Sequence, residues 1–257
     1  MEIKPIRTRK FLPPKDELLS VIKESISDIP EKSVLAVTSK VVSIWQGRCL
    51  PKNKISKEKL IKTEAVRYAV HVDALGKRVY HTVVNNILVR SSGIDESNGN
   101  GFYILQPDNP EKAAKEIRDF LRKFYKIRNI GVVITDSYSV PLHRGALGFS
   151  LGLSGFYPVN DYRGSRDIFG RKMKSSQSNV ADGLAAAAVL AMGEGREKTP
   201  FALITETSAV RFTNRAPVNR RKFSSFYVPW KEDIFYPFFS KLPWQKGGDK
   251  NNKNKNS

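Results

Sequence analysis

The chain has 257 residues, 40% of them hydrophobic and 27% charged, and a formal net charge of +19. That length and composition suffice for a buried core; no apolar run approaches the roughly 18 residues of a membrane-spanning helix. A lone cysteine, Cys49, excludes an internal disulfide and a thiolate metal cluster.

In chain order, the opening MEIKPIRTRK lacks the apolar stretch of a secretory leader, so the cytoplasm is the expected location. Residues 15–28 place Leu18, Leu19, Ile22 and Ile26 on one helical face, and Pro30 ends the run. VLAVTS reads as a strand delivering Thr38, Ser39 and Lys40, and TVVNNILV as one buried strand running into SSGIDESNGN. FYILQ is a further strand, and residues 110–126 form a helix opened by Pro110 with Ala113, Ala114, Ile117, Leu121 and Phe124 along a stripe. IGVVITD is a strand ending at Thr135, Asp136 and Ser137. NVADGLAAAAVLAMGEG is a helix from an Asn179 cap to a Gly195 stop, and FALITE a strand ending at Thr205 and Glu206. The aromatic, proline-rich FYVPWKEDIFYPFFSKLPW is expected to wrap a core or an interface. Residues 1–245 thus form the folded part, in a mixed α/β (α+β) architecture, and the Lys/Asn-rich residues 246–257 are expected to be disordered.

Three features carry chemistry. In GIDESN, Asp95, Glu96, Ser97 and Asn98 sit between glycines after an apolar run, which suits either a solvated turn or a loop holding a cation or phosphate. Asp136 and Glu206 repeat the pattern of a carboxylate at a strand end, where ligand sites of open α/β sheets gather. Converging oxygen ligands of this kind select Mg²⁺ or Mn²⁺, and with fixed cations they suit phosphoryl transfer from a nucleotide. The loop NDYRGSRDIFGRK offers Arg163, Arg166 and Arg171, either as surface ion pairs or as guanidinium forks for phosphate and carboxylate. There is no Walker A pattern; Ser39 and Lys40 in VTSKVVS are the nearest phosphate-side candidates. His71, His81 and His143 are widely spaced and suggest no zinc site.

The positive charge invites a nucleic-acid reading. The terminal KGGDKNNKNKNS holds four Lys and one Asp, which is +3 of the +19 and leaves +16, concentrated at KPIRTRK, RDFLRKFYKIR and RAPVNRRK. Such a field steers anionic substrates as well as it binds phosphodiesters. No zinc-finger spacing, aromatic RNA-binding strand or helix-turn-helix accompanies it, so nucleic acid is not favoured.

Taken in order, VLAVTSKVVSIWQGR, SSGIDESN, GVVITDSY, DYRGSRDIFGR and NVADGLAAAAVLAMGEG resemble the coenzyme F420-0:γ-glutamyl ligase family, often called CofE, over residues 30 to 210. The resemblance implies a two-lobed mixed α/β fold, a homodimer, and GTP-dependent amide formation between an acceptor carboxylate and L-glutamate with Mg²⁺ or Mn²⁺. By position, Asp95 and Asp136 match the family's metal-binding aspartates, and Ser137 stands at its metal-contacting Thr. Asn98 matches a nucleotide contact, and Ser39 and Lys40 match phosphate-side contacts. Glu206 lies near the last metal ligand. Lys40 with Arg163, Arg166 or Arg171 would be the fixed cations of catalysis. The chain departs from the pattern at Ile44 and Trp45, where the family reads Lys and a small residue, at Gly183, which replaces a Glu, and in SVPLHRGALG. These departures leave room for a folate-like acceptor, or for a nucleotide-binding homologue without turnover.

Overall fold

Every residue from Ser33 to Val37 is buried, which a strand achieves only when both faces of its sheet are covered. This strand is the middle one of a five-stranded sheet in a computed structural model that describes residues 1–214 and 226–248. The elements in the first half are β1 (Glu2–Ile6), α1 (Leu18–Ser25), β2 (Ser33–Thr38), α2 (Ser39–Trp45), β3 (Cys49–Pro51), α3 (Lys57–Glu64), β4 (Arg67–Val72), β5 (Arg78–Val84) and β6 (Ile87–Arg90). After a 3-10 turn at Ser91–Gly93 follow β7 (Phe102–Ile104), α4 (Pro110–Tyr125), β8 (Ile130–Ser139), β9 (Ala146–Ser154), β10 (Val159–Asp161) and β11 (Gln177–Asn179). The chain closes with α5 (Val180–Met192), β12 (Phe201–Thr205), α6 (Tyr236–Phe239) and β13 (Gln245–Lys246).

These elements form two units. The first comprises Met1–Lys10, Glu17–Val42 and Asn109–Phe226. Its five-stranded sheet has the order β1-β12-β2-β8-β9; β2 and β8 run parallel, and the other neighbours are antiparallel. Val34, Ala36, Val133, Ala202 and Ile204 pack with the small side chains Ala181, Ala185 and Ala188 of α5. The alanine-rich sequence permits that approach: a Cβ on Gly148 of β9 would lie 2.6 Å from the Ala185 carbonyl oxygen. At Gly152 it would instead meet Pro110 at 2.6 Å. A register shift at Ile134/Thr135 inserts one residue between the two glycines, and a bulge of this kind turns them to opposite faces. Helix α4 carries the cap expected of it, Asn109 accepting from the Lys112 amide with Pro110 in the first turn, and Asn179 likewise accepts from the Asp182 amide. Helix α1 is shorter than the periodicity predicts: the Asp16 carboxylate is engaged by the Leu12 amide, and Ile26 is already extended.

The second unit comprises Phe11–Asp16, Ser43–Asp108 and Tyr227–Ser257. Its four-stranded sheet has the order β13-β4-β5-β6, with a separate β3-β7 pair. TVVNNILV is not one strand. Asn85 and Asn86 both take positive φ, 51° and 62°, and form the two-residue turn of a β5-β6 hairpin; paired Asn residues tolerate the left-handed geometry that a tight hairpin turn demands. The aromatic C-terminal segment, expected to wrap a core or an interface, packs its rings on one another, with Trp230 against Tyr236, Phe239 and Trp244 and under the Arg67 guanidinium. Residues 246–248, expected in the disordered tail, are part of this unit. Lys246 is in β13, paired with Arg67, and the amides of Gly247 and Gly248 donate to Val66 and Lys62 carbonyls; residues 249–257, like RAPVNRRK at 215–222, lie outside the described residues.

Ile44 belongs to this unit's apolar interior. It is 2% exposed and clusters with Cys49 and Ile104 against Phe11 and Phe102. Ile44→Lys, which restores the residue type of the family pattern, is expected to lower the unfolding free energy by about 2 kcal/mol or more, because it buries a charge without a designed partner. Urea denaturation reads it, and a loss below about 0.5 kcal/mol would contradict the assignment of Ile44 to the core.

Candidate active site

The parallel pairing of β2 with β8 sets Thr38 opposite Thr135. Both strands therefore deliver their next residues to one edge of the sheet. On β2 these are Ser39 and Lys40, which open α2 without an intervening loop; Ser39 is buried and Lys40 partly so. On β8 they are Asp136 and Ser137, held extended by pairing with Phe149 and Gly148 of β9. Side chains alternate along a strand. Val133 packs with α5, so Thr135 and Ser137 share its face, whereas Asp136 falls on the face of Val132 and Ile134.

A residue that the sequence reading passed over joins this edge. The Ser137 hydroxyl donates to Glu194 Oε2 at 3.3 Å, and the Ser137 amide donates to Asp136 Oδ1 at 2.9 Å. Glu194 arrives here because β12 runs antiparallel to β2, so the connection from α5 into β12 must begin at the edge where β2 and β8 end. The helix stops at Gly193, with φ 79°, and the Glu197 carboxylate accepts from the Gly195 amide, tethering the turn. The N-terminal end of α5 is also fixed: Asp182 accepts from the Ser150 amide at 2.8 Å and from Asn179 Nδ2 at 2.6 Å. The topology was the signal that could have found Glu194; in sequence MGEG reads only as a helix stop.

The same register corrects the expectation for Glu206. Ile204 pairs with Val34 at the start of β2, so Thr205 and Glu206 leave the sheet at the edge opposite Asp136. At roughly 3.3 Å per residue, the six residues of β2 separate the two edges by about 20 Å. Glu206 does not join Asp136 on this sheet.

In the second unit, GIDESN is a tightly bonded turn. Asp95 bridges Ile104 through both backbone groups at 2.9 Å. Its Oδ1 accepts from the Ser97 amide at 2.7 Å and the Ser97 hydroxyl at 2.9 Å. Asn98 and Asn100 take positive φ, and Glu96 pairs with Lys57 at 2.6 Å and Lys52 at 3.1 Å. Those two ammonium groups hold the Glu96 carboxyl below its usual range. Just upstream, Ser92 also takes a positive φ, 55°; its amide donates to Thr82 Oγ1 and its hydroxyl to the Ile61 carbonyl.

Arg163, Arg166 and Arg171 lie on an exposed arm closed by the β10-β11 pair. Arg163 is engaged by Asp161 through a bidentate contact. Arg166 donates to the Gly170 carbonyl at 2.7 Å, and Asp167 accepts from the amides of Phe169 and Arg171, which shapes the tip. The arm thus combines the two readings that the sequence left open: one arginine is in an ion pair, and the others are presented at the surface.

Among the described residues, no three His, Cys, Asp or Glu side chains gather into a metal cage. Ser137 and Glu194 offer hard oxygens on one face of this edge, and the Asp136 carboxylate, from the opposite face, reaches the Ser137 amide beside them. That set suits Mg²⁺ or Mn²⁺, which take one or two protein carboxylates and complete their shell from phosphate and water.

Residues 6–206 match the family model described as F420-0:Gamma-glutamyl ligase. The chain belongs to this family. It is 33% identical over 215 residues to the coenzyme F420:L-glutamate ligase of Methanopyrus kandleri, covering 78% of this chain and 84% of that one. The enzyme of the same name from Methanococcus maripaludis is 32% identical over 209 residues, 75% and 84% of the two chains, and that of Methanocaldococcus jannaschii is 29% identical over 231 residues, 83% and 89%. Of the departures noted from the family pattern, Ile44 is core, and Gly183 is exposed with open space where a Cβ would stand.

The Arg163 guanidinium, by hydrogen bond and charge, holds the Asp161 carboxyl down to about 2. The folded-state value is depressed, so this pair contributes above the ordinary carboxylate pKa and is lost as pH falls toward 2. A carboxylate NMR titration should find the Asp161 midpoint near 2 and, in Arg163→Ala, shifted upward but still lowered by the backbone amide of residue 163, which the substitution keeps. Equal midpoints in the two proteins would show that Arg163 is not bound by Asp161.

Proposed function

We propose that this protein joins the amino group of L-glutamate to a carboxylate acceptor of the coenzyme F420-0 type, in a GTP-driven ligation assisted by Mg²⁺ or Mn²⁺. Membership of the F420-0:γ-glutamyl ligase family supports the ligase reading. The observation that supports its mechanism is the strand register that delivers Ser39 and Lys40 to the same sheet edge as Asp136, Ser137 and Glu194.

In this reading the acceptor carboxylate attacks the γ-phosphorus of GTP. The bond from phosphorus to the bridging oxygen breaks, GDP leaves and an acyl phosphate forms. The glutamate amine then attacks the acyl carbon, the carbon–oxygen bond to phosphate breaks, and the amide and inorganic phosphate are released with loss of a proton. Lys40 supplies a fixed cation to the transferring phosphoryl group, and Ser39 a hydroxyl to its oxygens. Asp136, Ser137 and Glu194 would hold the divalent ion, which when bound neutralises phosphoryl charge. Asp95 and Asn98, from the other unit, remain metal and nucleotide candidates on the family pattern alone. Arg166 and Arg171 are better placed than Arg163 to meet an anionic substrate, since Arg163 is already engaged by Asp161. The homodimer expected from the resemblance belongs to the same proposal and is read by sedimentation.

Asp136→Ala is expected to reduce GTP turnover by at least about a thousandfold while leaving the circular dichroism unchanged, as removal of a metal-holding carboxylate does. Glu206→Ala should keep turnover within about tenfold of the parent. Turnover retained in Asp136→Ala, or lost only in Glu206→Ala, would move the site to the other edge of the sheet.

A further inference from the structure

The chain has three histidines, and two of them meet on the second unit. His81 of β5 pairs directly with Ala69 of β4. His71, two residues beyond Ala69, therefore lies on the same face, diagonal to His81. His81 Nε2 lies 2.9 Å from His71 Nδ1, and the ring planes are 12° apart. Sequence spacing gave no hint of this, because ten residues separate them and the meeting depends on hairpin register.

We propose that His71 and His81 form a binding site for a borderline transition-metal ion, of the Zn²⁺ or Cu²⁺ class. Imidazole nitrogens about 2.0–2.1 Å from one such ion, at roughly tetrahedral or square angles, lie about 2.9–3.4 Å apart; the observed spacing already falls in that interval. The hydrogen that bridges the rings moves to the far nitrogen of its own ring, so each imidazole keeps one N–H and turns a lone pair to the ion. His71 is exposed and His81 half-buried, so water reaches the pair to complete the coordination shell. Two strands supply the two ligands, and the ion would pin β4 to β5 near their Asp73–Lys77 turn.

The surroundings limit affinity and make it tunable. Arg90 of β6 pairs opposite His81 and opposes a second cation. The Asp73 carboxylate is committed to the amides of Leu75 and Lys77. Imidazole nitrogen distinguishes this site from the oxygen edge at Asp136, which suits Mg²⁺ and Mn²⁺. Background from other soft ligands is small. Cys49 is buried, with its thiol pushed up to about 11 by burial, and His143 is the only remaining imidazole.

The test is titration of the full-length protein with Cu²⁺ and with Zn²⁺, using electron paramagnetic resonance for the first and calorimetry for the second. The equivalent that binds at the histidine pair should show Cu²⁺ coupled to two imidazole nitrogens. His71→Ala and His81→Ala should each weaken binding at least about tenfold by cutting the chelate to one arm. His143→Ala and Asp136→Ala should leave it unchanged, and Arg90→Gln should tighten it. His71 is exposed, so its variant should fold, which circular dichroism checks. A Cu²⁺ signal with one coupled nitrogen, or binding equal in the parent and the His71→Ala, His81→Ala double variant, would overturn the site.

Discussion

Parallel pairing of β2 and β8 in register is the constraint on which the first unit depends. Two parallel strands end at the same edge, and neither can turn back to pair with the other through a short hairpin. The chain between them must leave the sheet and return, and here that excursion includes the whole Ser43–Asp108 segment of the second unit. The pairing also decides which side chains can cooperate. It brings Ser39 and Lys40 beside Asp136 and Ser137, and through the antiparallel β12 it brings in Glu194 and sends Glu206 away.

Packing keeps that edge rigid. A sheet buried on both faces needs close cover, and the alanines of α5 with Gly148 and Gly152 of β9 let helices approach both faces at backbone distance. The register shift in β9 that turns those glycines to opposite faces lies beside Thr135, immediately before Asp136.

Much of this was legible in the amino-acid sequence, and what was not has physical causes. Long periodic segments with caps, such as Pro110–Tyr125 and Val180–Met192, read correctly because capping and amphipathicity act within a few residues. The TVVNNILV hairpin was missed because an apolar run masks its turn, and only the left-handed tolerance of Asn85 and Asn86 marks it. Asp136 and Ser137 were visible as a carboxylate and a hydroxyl at a strand end. The placement of Glu206 was not, because strand direction is a property of the sheet rather than of the segment. Glu194 and the His71–His81 pair were hidden for the same reason, since their neighbours are assigned by topology and register. The Asp95 loop is the intermediate case: its turn chemistry was readable, and the structure shows that turn in place, while its catalytic part rests on family resemblance.

The central claim is that this edge serves amide formation driven by a nucleotide. Its most direct test is the mass of the product formed when the protein is incubated with L-glutamate, GTP, Mg²⁺ or Mn²⁺, and either F420-0 or a folate as acceptor. The account predicts that F420-0 gains a glutamyl unit with one GDP and one phosphate released per bond formed. GTP bound but neither hydrolysed nor coupled to any acceptor, by protein that is folded and metal-loaded, would contradict it.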